Sequence, residues 1–259
     1  MTSQTNRRMD VATRARLIIG GLLGTAALLV AACSSDQGPT APTAGTPPAQ
    51  TTPSAPAPPS AQAPTTARYR VTFEATWSAP THPQDFPSSA HFSGLIGGTH
   101  NASVTFWQEG ALATDGIKNM SELGSKTPLD QEVTTAIASG TAEHLLSGGG
   151  IALSPGSVTL EFEITQAYPL VTLVSMIAPS PDWFVGVSRL PLFENGQWAD
   201  ERRIDLVPWD AGTDSGVTFT SPDLATIPRQ PISRILSAPL SPAGRVTPMG
   251  TFRFTRLAG

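Results

Sequence analysis

Charged residues, cysteine and familiar catalytic motifs are all scarce in this chain of 259 residues. Only 14% of the residues are charged and the net charge is −4, so the composition gives no electrostatic reason to expect a nucleic-acid partner. No Gly-x-Ser-x-Gly elbow, His-Glu-x-x-His motif or phosphate-binding loop occurs in the sequence. These absences argue against the common hydrolase and nucleotide-binding mechanisms.

Cys33 is the only cysteine, and it stands at the end of an export signal. Four arginines between residues 7 and 16 form a basic n-region, and residues 17–30 form an apolar run that is short for a membrane span. The ending Val30-Ala31-Ala32-Cys33 resembles the lipobox of bacterial lipoproteins, in which the cysteine is lipidated and becomes the first mature residue. We therefore predict that residues 1–33 are a lipoprotein signal peptide and that lipidated Cys33 anchors an exported protein to a membrane of the cell envelope. A buried, inert thiol is the alternative.

Residues 34–67 contain nine prolines, many Thr, Ala and Ser residues, and no aromatic residue. Such a composition cannot build a core, so we predict a disordered linker. In an extended polyproline-like state, at about 3.1 Å per residue, it would reach roughly 100 Å from a membrane. We interpret it as a passive tether; a proline-rich ligand for a partner domain is the alternative.

Residues 68–259 carry regular apolar patterns and are long enough for one domain with a sizeable core. Residues 69–77 and 157–165 alternate between apolar and polar side chains, whereas residues 170–177 are uniformly apolar, as expected of a central strand buried on both faces. Further strands are predicted at residues 103–107, 184–187, 199–207, 216–220 and 250–257, and short helices at residues 114–124 and 130–139. The fold is therefore predicted to be all-β: an antiparallel β-sandwich of about eight strands with short helical inserts.

Two breaks in this pattern place aspartate beside tryptophan in a Pro- or Gly-rich turn. They read Ala178-Pro179-Ser180-Pro181-Asp182-Trp183-Phe184 and Trp209-Asp210-Ala211-Gly212-Thr213-Asp214. Turns of this kind, held on a rigid sheet, are where binding groups usually sit. If both turns lie at the same side of the sandwich, three carboxylates converge, and a calcium ion with its six to eight oxygen ligands would relieve their repulsion. Capping of the turns by the aspartates is the alternative, and spacing alone favours it.

Together with Ala90-His91-Phe92-Ser93 and Thr99-His100-Asn101 upstream, these motifs resemble the spondin N-terminal domain over about residues 68–235. The resemblance implies a calcium-bearing β-sandwich whose metal aspartates correspond to Asp182, Asp210 and Asp214, and it favours metal binding over turn capping. Animal members carry a cysteine pair between the two motifs, which the segment Leu190-Pro191-Leu192-Phe193-Glu194-Asn195-Gly196-Gln197-Trp198 lacks. They also continue into further modules that take part in matrix and adhesion contacts, and we do not expect those roles to transfer.

Histidines offer a second candidate site around His91 and His100, with His82 nearby. No cysteine or closely spaced histidine pair supports a transition-metal site there, so hydrogen bonding within loops is the better interpretation. We expect Trp183 and Trp209 to pack beneath the metal loops.

Two functions of different classes follow from the sequence. The first is a non-catalytic, calcium-binding module, anchored by lipid in the cell envelope, whose function is binding or adhesion, with an extracellular protein, glycan or lipid as its ligand. The alternative is a secreted hydrolase that uses calcium or the region of His91 and His100. A deep pocket with convergent polar groups would favour the hydrolase.

Overall fold

The computed structural model describes residues 63–258, and within them two antiparallel sheets form the fold. The strands are β1 Thr66–Ala75, β2 His91–Phe92, β3 Ile96–His100, β4 Ala142–Ser147, β5 Gly156–Thr165, β6 Leu170–Ala178, β7 Trp183–Pro191, β8 Phe193–Glu194, β9 Gln197–Trp198, β10 Glu201–Leu206, β11 Trp209–Asp210, β12 Ser233–Arg234 and β13 Gly250–Arg256. The smaller sheet has the strand order β10-β13-β1-β5. The larger sheet has the order β12-β11-β7-β6-β3-β4, with β2 also paired to β6, and a separate hairpin joins β8 and β9. Eight of these strands have five residues or more, and the predicted all-β sandwich is confirmed.

Two helices, α1 (Asp115–Leu123) and α2 (Leu129–Ala138), confirm the predicted helical inserts. The Thr114 side chain caps α1 by accepting the N–H of Ile117, and Gly124 ends the helix in the left-handed conformation at φ 65°. Both helices pack on the larger sheet. Among the residues that the structure describes, no helix combines the length and apolar character needed to span a bilayer.

The larger sheet is buried on both faces, because one face meets the smaller sheet and the other meets the helices. Leu173 belongs to the cluster between the sheets, which is rich in aromatic residues of β1 and β13, while its neighbour Val174 belongs to the cluster beneath the helices. This confirms the prediction for residues 170–177, which form β6 at the centre of the sheet. The described residues belong to one compact unit, which holds both clusters.

The strand predicted at residues 103–107 is wrong, because this segment is an irregular loop. Asn101 accepts the N–H of Ser103, and the guanidinium of Arg189 donates to the carbonyls of Ala102 and Val104. Side chains therefore form hydrogen bonds with backbone groups that, in a β-strand, would bond to a neighbouring strand.

The strand predicted at residues 216–220 is also wrong. The hydroxyl of Ser221 accepts the N–H groups of Val217 and Thr218, which folds this segment into a turn. At the N-terminal side, β1 begins at Thr66, two residues before the predicted domain boundary.

Candidate metal centre

The two Asp-Trp turns lie side by side at one end of the larger sheet. Strands β7 and β11 pair antiparallel, with Trp183 opposite Asp210 and Phe184 opposite Trp209. Asp182, directly before β7, therefore lies beside Ala211, whose N–H donates to the Asp182 carbonyl at 3.2 Å. The register of this strand pair brings the two motifs together.

The carboxylate of Asp182 is fully buried and ties the first turn to the second. Its Oδ2 accepts the N–H of Thr213 at 2.7 Å, the N–H of Asp214 at 3.0 Å and the hydroxyl of Thr213 at 3.2 Å. Its Oδ1 is also buried but has no hydrogen-bond partner. Buried polar atoms are almost always satisfied, so this oxygen lacks the donor or cation that a buried carboxylate oxygen normally has.

Burial makes the negative charge of this site unfavourable. Burial, and then the nearby charge of Asp210, raise the pKa of Asp182 to about 7, although the bonds from Thr213 and Asp214 act in the opposite direction. The pKa of Asp210 is also raised, mainly by burial and further by the charge of Asp214, against hydrogen bonds from Gly212 and the Trp183 side chain. A proton or a bound cation would relieve this repulsion.

Asp210 and Asp214 each brace the second turn, as the turn-capping interpretation expects. Oδ1 of Asp210 accepts the N–H of Gly212 at 2.7 Å. The two oxygens of Asp214 accept the N–H groups of Gly216 at 2.6 Å and Leu224 at 2.8 Å. Asp210 also borders a cavity of about 180 Å³ together with Trp183 and Arg234. Capping does not exclude metal binding, since a carboxylate oxygen has two lone pairs.

Gly212 allows the tight bend that the sequence predicts, and the structure adds a second reason for glycine. Its φ is 73°, and a Cβ at this position would lie 2.1 Å from the Gln230 carbonyl oxygen. The N–H of Gln230 in turn donates to the Gly212 carbonyl at 2.8 Å. The turn is therefore packed directly against a later segment of the same loop.

The three aspartates do not by themselves make a complete metal cage. In the part of the chain that the structure describes, no three acidic, histidine or cysteine side chains are grouped so that they could hold a metal ion. A cation at Asp182 and Asp210 would need backbone carbonyl or water oxygens as further ligands. Calcium accepts such mixed oxygen ligands in a flexible geometry, whereas magnesium demands a stricter octahedron.

Buried aromatic rings support the two turns, as expected for Trp183 and Trp209. The ring of Trp183 contacts Phe219 at 5.5 Å between centroids, and Trp209 contacts Trp107 at 5.3 Å. Phe219 also reaches Trp77, at 5.6 Å. The apolar pattern predicts a strand at Phe219, but a lone aromatic residue among Thr and Ser residues is also a signal that its side chain anchors a loop.

His91 and His100 do not come together in a second site. His91 pairs with Ala178 and His100 with Leu170, at opposite ends of β6, so they lie roughly 25 Å apart at about 3.3 Å per residue. The His91 ring contacts the Ser89 carbonyl at 2.7 Å, and the buried His100 ring lies 2.9 Å from the Asn101 carbonyl and 2.8 Å from the Thr172 hydroxyl. These contacts agree with hydrogen bonding within the fold. Burial lowers the pKa of His100, which favours its neutral form.

Cys33, the predicted lipidation site, lies outside the described residues, as do the signal peptide and most of the linker.

Comparison with known proteins agrees with the family resemblance. The family model described as Spondin_N matches residues 67–245. Spondin-2 of Homo sapiens is 34% identical over 195 residues, which cover 74% of this chain and 57% of that protein. Spondin-1 of Mus musculus is 36% identical over 208 residues, which cover 74% of this chain and 25% of that protein. The match thus spans about half of Spondin-2 and a quarter of Spondin-1, and the chain belongs to the spondin N-terminal domain family.

Proposed function

We propose that this protein is an exported, lipid-anchored module of the cell envelope that binds calcium at Asp182 and Asp210 and acts in adhesion without catalysis. The negative charge of Asp214 helps to raise the pKa of Asp210. The Asp214 carboxylate also accepts backbone N–H groups of the loop in which it lies. Membership of the spondin N-terminal domain family supports an extracellular adhesion-type role.

The observation that carries the calcium proposal is the unpartnered Oδ1 of Asp182. This oxygen is buried beside a second carboxylate whose charge raises the pKa of Asp182. A hard cation with oxygen ligands would satisfy the orphan atom and neutralise both carboxylates at once. A proton on Asp182 would also reduce the repulsion between the two carboxylates, but only below about its own pKa.

The proposals of a lipid anchor and of an adhesion partner rest on other observations. The Val30-Ala31-Ala32-Cys33 sequence supports attachment to a membrane through lipidated Cys33, with the domain exported. The adhesion partner would be an extracellular protein, glycan or lipid, as the family resemblance implies. The hydrolase alternative gains no support from His91 and His100, because they are separated along β6 and each contacts backbone carbonyls.

Calcium titration of the purified unit of residues 58–259 tests the proposal. Calcium at about one hundred times its dissociation constant should stabilise the fold by about 2.7 kcal/mol. For a domain of this size that corresponds to a rise in melting temperature of roughly 5 to 10 °C over the value in chelator. Isothermal titration should give one site, with magnesium binding more weakly.

Asp210→Asn should remove most of this stabilisation and the calorimetric signal. Asp223→Asn is the matched control, because Asp223 is exposed in the same loop and should leave both unchanged. Identical melting curves in millimolar calcium and in chelator would reject the calcium site.

A further inference from the structure

Strand β1 lies inside the smaller sheet, between β13 and β5, and is the first strand of the described chain. It pairs antiparallel with β5 along its whole length, from Thr66 to Ala75. On its other side it pairs antiparallel with β13 from Tyr69 to Ala75. Its inward side chains Tyr69, Val71 and Phe73 are fully buried in the core between the sheets. Strand β1 is therefore held by two hydrogen-bonded ladders and by the core.

The segment directly before β1 is fastened to the domain by side chains. The indole N–H of Trp198 donates to the Pro64 carbonyl at 2.7 Å. The side-chain amide of Gln166 donates to the carbonyls of Ala63 at 3.1 Å and Pro64 at 3.0 Å, and its backbone N–H donates to the Thr65 carbonyl at 2.9 Å. A pull on the preceding chain therefore acts on the domain at one fixed point, the N-terminal end of β1.

The candidate metal centre lies near the other end of β1. The ring of Trp77, just after β1, contacts Phe219 at 5.6 Å between centroids, and Phe219 contacts Trp183 at 5.5 Å. Trp183 directly follows Asp182 in the sequence. The ten residues of β1 span roughly 30 Å at about 3.3 Å per residue. The chain therefore enters at one end of the smaller sheet, and the candidate centre lies near the opposite end.

Tension between these two ends runs along β1 and acts on its ladders in shear. The hydrogen bonds of an antiparallel ladder are perpendicular to the strands. A force along the strand therefore loads many of these bonds together, because β1 must slide past β5 and β13 as a whole. The buried side chains of β1 must leave the core in the same step. Both effects raise the force that the domain withstands in this direction.

A force between the start of β1 and the end of β13 acts in a weaker direction. Strand β13 ends at Arg256, one residue after which the N–H of Leu257 donates to the Arg68 carbonyl at 2.9 Å. The start of β1 and the end of β13 are therefore neighbours. Pulling them apart loads the ladder across the strands, so its bonds break one pair after another from the pair Tyr69–Arg256.

We propose that this domain is a load-bearing element that resists tension between its N-terminal attachment and a ligand held at the Asp182 end, with β1 as the strand that carries the load. That such tension arises rests on the proposed function, because it requires both the anchor and an adhesion partner. The resistance itself depends only on the strand geometry. A module that is anchored at one end and bound at the other is loaded along β1 whenever the cell and its ligand are pulled apart.

Single-molecule force spectroscopy of residues 33–259, produced without lipid and measured in chelator, tests the inference. Cys33 is the only cysteine in the sequence, so its thiol provides one handle at the proposed attachment point. The second handle is Pro181→Cys, in the turn beside Asp182, or Ala258→Cys, just beyond β13. At one loading rate, the unfolding force through Pro181→Cys should be at least about twice that through Ala258→Cys, because several ladder bonds must break together.

Two matched valine variants identify the strand that carries the load. Val71 of β1 and Val133 of α2 are both fully buried, so each substitution by alanine leaves a cavity of similar chemistry. Val71→Ala should lower the unfolding force measured through the Pro181→Cys handle, whereas Val133→Ala should leave it close to that of the parent protein. Thermal melting of both variants shows how much stability each has lost, which separates a loss of stability from a loss of mechanical resistance.

The outcomes separate this inference from the calcium proposal. Equal forces through the two handles, or a lower force through Pro181→Cys, would overturn the inference. Equal effects of the two valine variants would place the yielding element outside β1 and overturn its role. If Pro181→Cys fails to fold, Asp223→Cys, which is exposed in the loop after Asp214, provides the handle at the same end. Because all forces are measured in chelator, a calcium site rejected by melting curves would leave the comparison of forces standing, and equal forces would leave the calcium site standing.

Discussion

Asp182 and Thr213 are separated by 31 residues in sequence, yet the N–H of Thr213 donates to Oδ2 of Asp182 at 2.7 Å inside the protein. This bond and the one from Asp214 fasten the second turn to the first. The other oxygen of Asp182 takes no part in that fastening and has no partner. One carboxylate therefore combines a structural oxygen with an oxygen that is available for the proposed calcium ion, and substitutions can separate the two roles.

Asp182→Asn and Asp182→Ala should have different effects on stability without calcium. The asparagine carbonyl can still accept the N–H groups of Thr213 and Asp214, and it removes a buried charge, so the variant should be at least as stable as the parent in chelator near about pH 7.5. Alanine leaves both N–H groups buried without an acceptor and should lower the free energy of unfolding by about 2 to 4 kcal/mol. Denaturant unfolding in chelator measures both values.

Neither Asp182 variant should be stabilised by calcium, because both lack the carboxylate. Retention of the full calcium response by Asp182→Asn would contradict a role for this oxygen in binding the ion. A loss of stability in Asp182→Asn as large as in Asp182→Ala would contradict the structural role assigned to the hydrogen bonds.

Stability without calcium should fall as the pH rises from about 5 to about 7. Burial and the charge of Asp210 raise the pKa of Asp182 to about 7, so in this window the folded state holds a proton that the unfolded state has released. Raising the pH therefore favours the unfolded state, by up to about 1.4 kcal/mol per pH unit from this group. Thermal melts in chelator across this range measure the trend.

Saturating calcium should remove or reverse the fall in stability, because the ion stabilises the ionised form of the site. Asp182→Asn should show a shallower slope in chelator, while the raised pKa of Asp210 leaves a smaller trend of the same sign. A slope in Asp182→Asn equal to that of the parent would show that other groups cause the pH dependence.

The pattern of apolar residues predicted strands such as β5 and β6, and it failed where glycine or hydroxyl residues decide the structure. Strand β5 alternates along its length, and β6 is apolar throughout because both its faces are covered. The sequence pattern does not predict strand β3, because Gly97 and Gly98 suggest a turn. A Cβ at Gly97 would lie 2.0 Å from the Thr172 carbonyl oxygen, so the glycine reflects close packing against β6 that no local pattern reveals.

The candidate site was only partly predictable, because it too depends on contacts between segments that are distant in sequence. Its aspartates could be chosen because both turns place aspartate beside tryptophan and Asp214 follows in the second turn, and the resemblance favoured metal binding over turn capping. The orphan oxygen of Asp182 depends on the pairing of β7 with β11, which sequence spacing does not encode. The bracing of Leu224 by Asp214 likewise depends on a turn that the sequence suggested was a strand.

Cys33→Ser should abolish lipidation of the full chain in a bacterial host. The predicted lipobox places the modified cysteine at the N-terminus of the mature protein, so the intact mass should equal residues 33–259 plus lipid, and fatty-acid labelling should depend on Cys33. Serine cannot form the thioether. Labelling of the Cys33→Ser variant, or a parent protein whose mass shows cleavage elsewhere without lipid, would contradict the anchor.

Gly212→Ala should destabilise the second turn far more than Gly140→Ala destabilises the end of α2. Both glycines have positive φ, 73° and 69°, so both substitutions carry backbone strain of about 1 to 2 kcal/mol. Only at Gly212 does the new Cβ meet another atom, the Gln230 carbonyl oxygen at 2.1 Å, whereas nothing lies within 4 Å of the position at Gly140. The difference in the free energy of unfolding between the two variants therefore measures the close approach alone. Because Gln230 must move to admit the Cβ, Gly212→Ala should also weaken calcium binding, and Gly140→Ala should not. Equal losses of stability, with calcium binding intact in both variants, would mean that the loop relaxes around Gly212 and that its packing does not position Asp210.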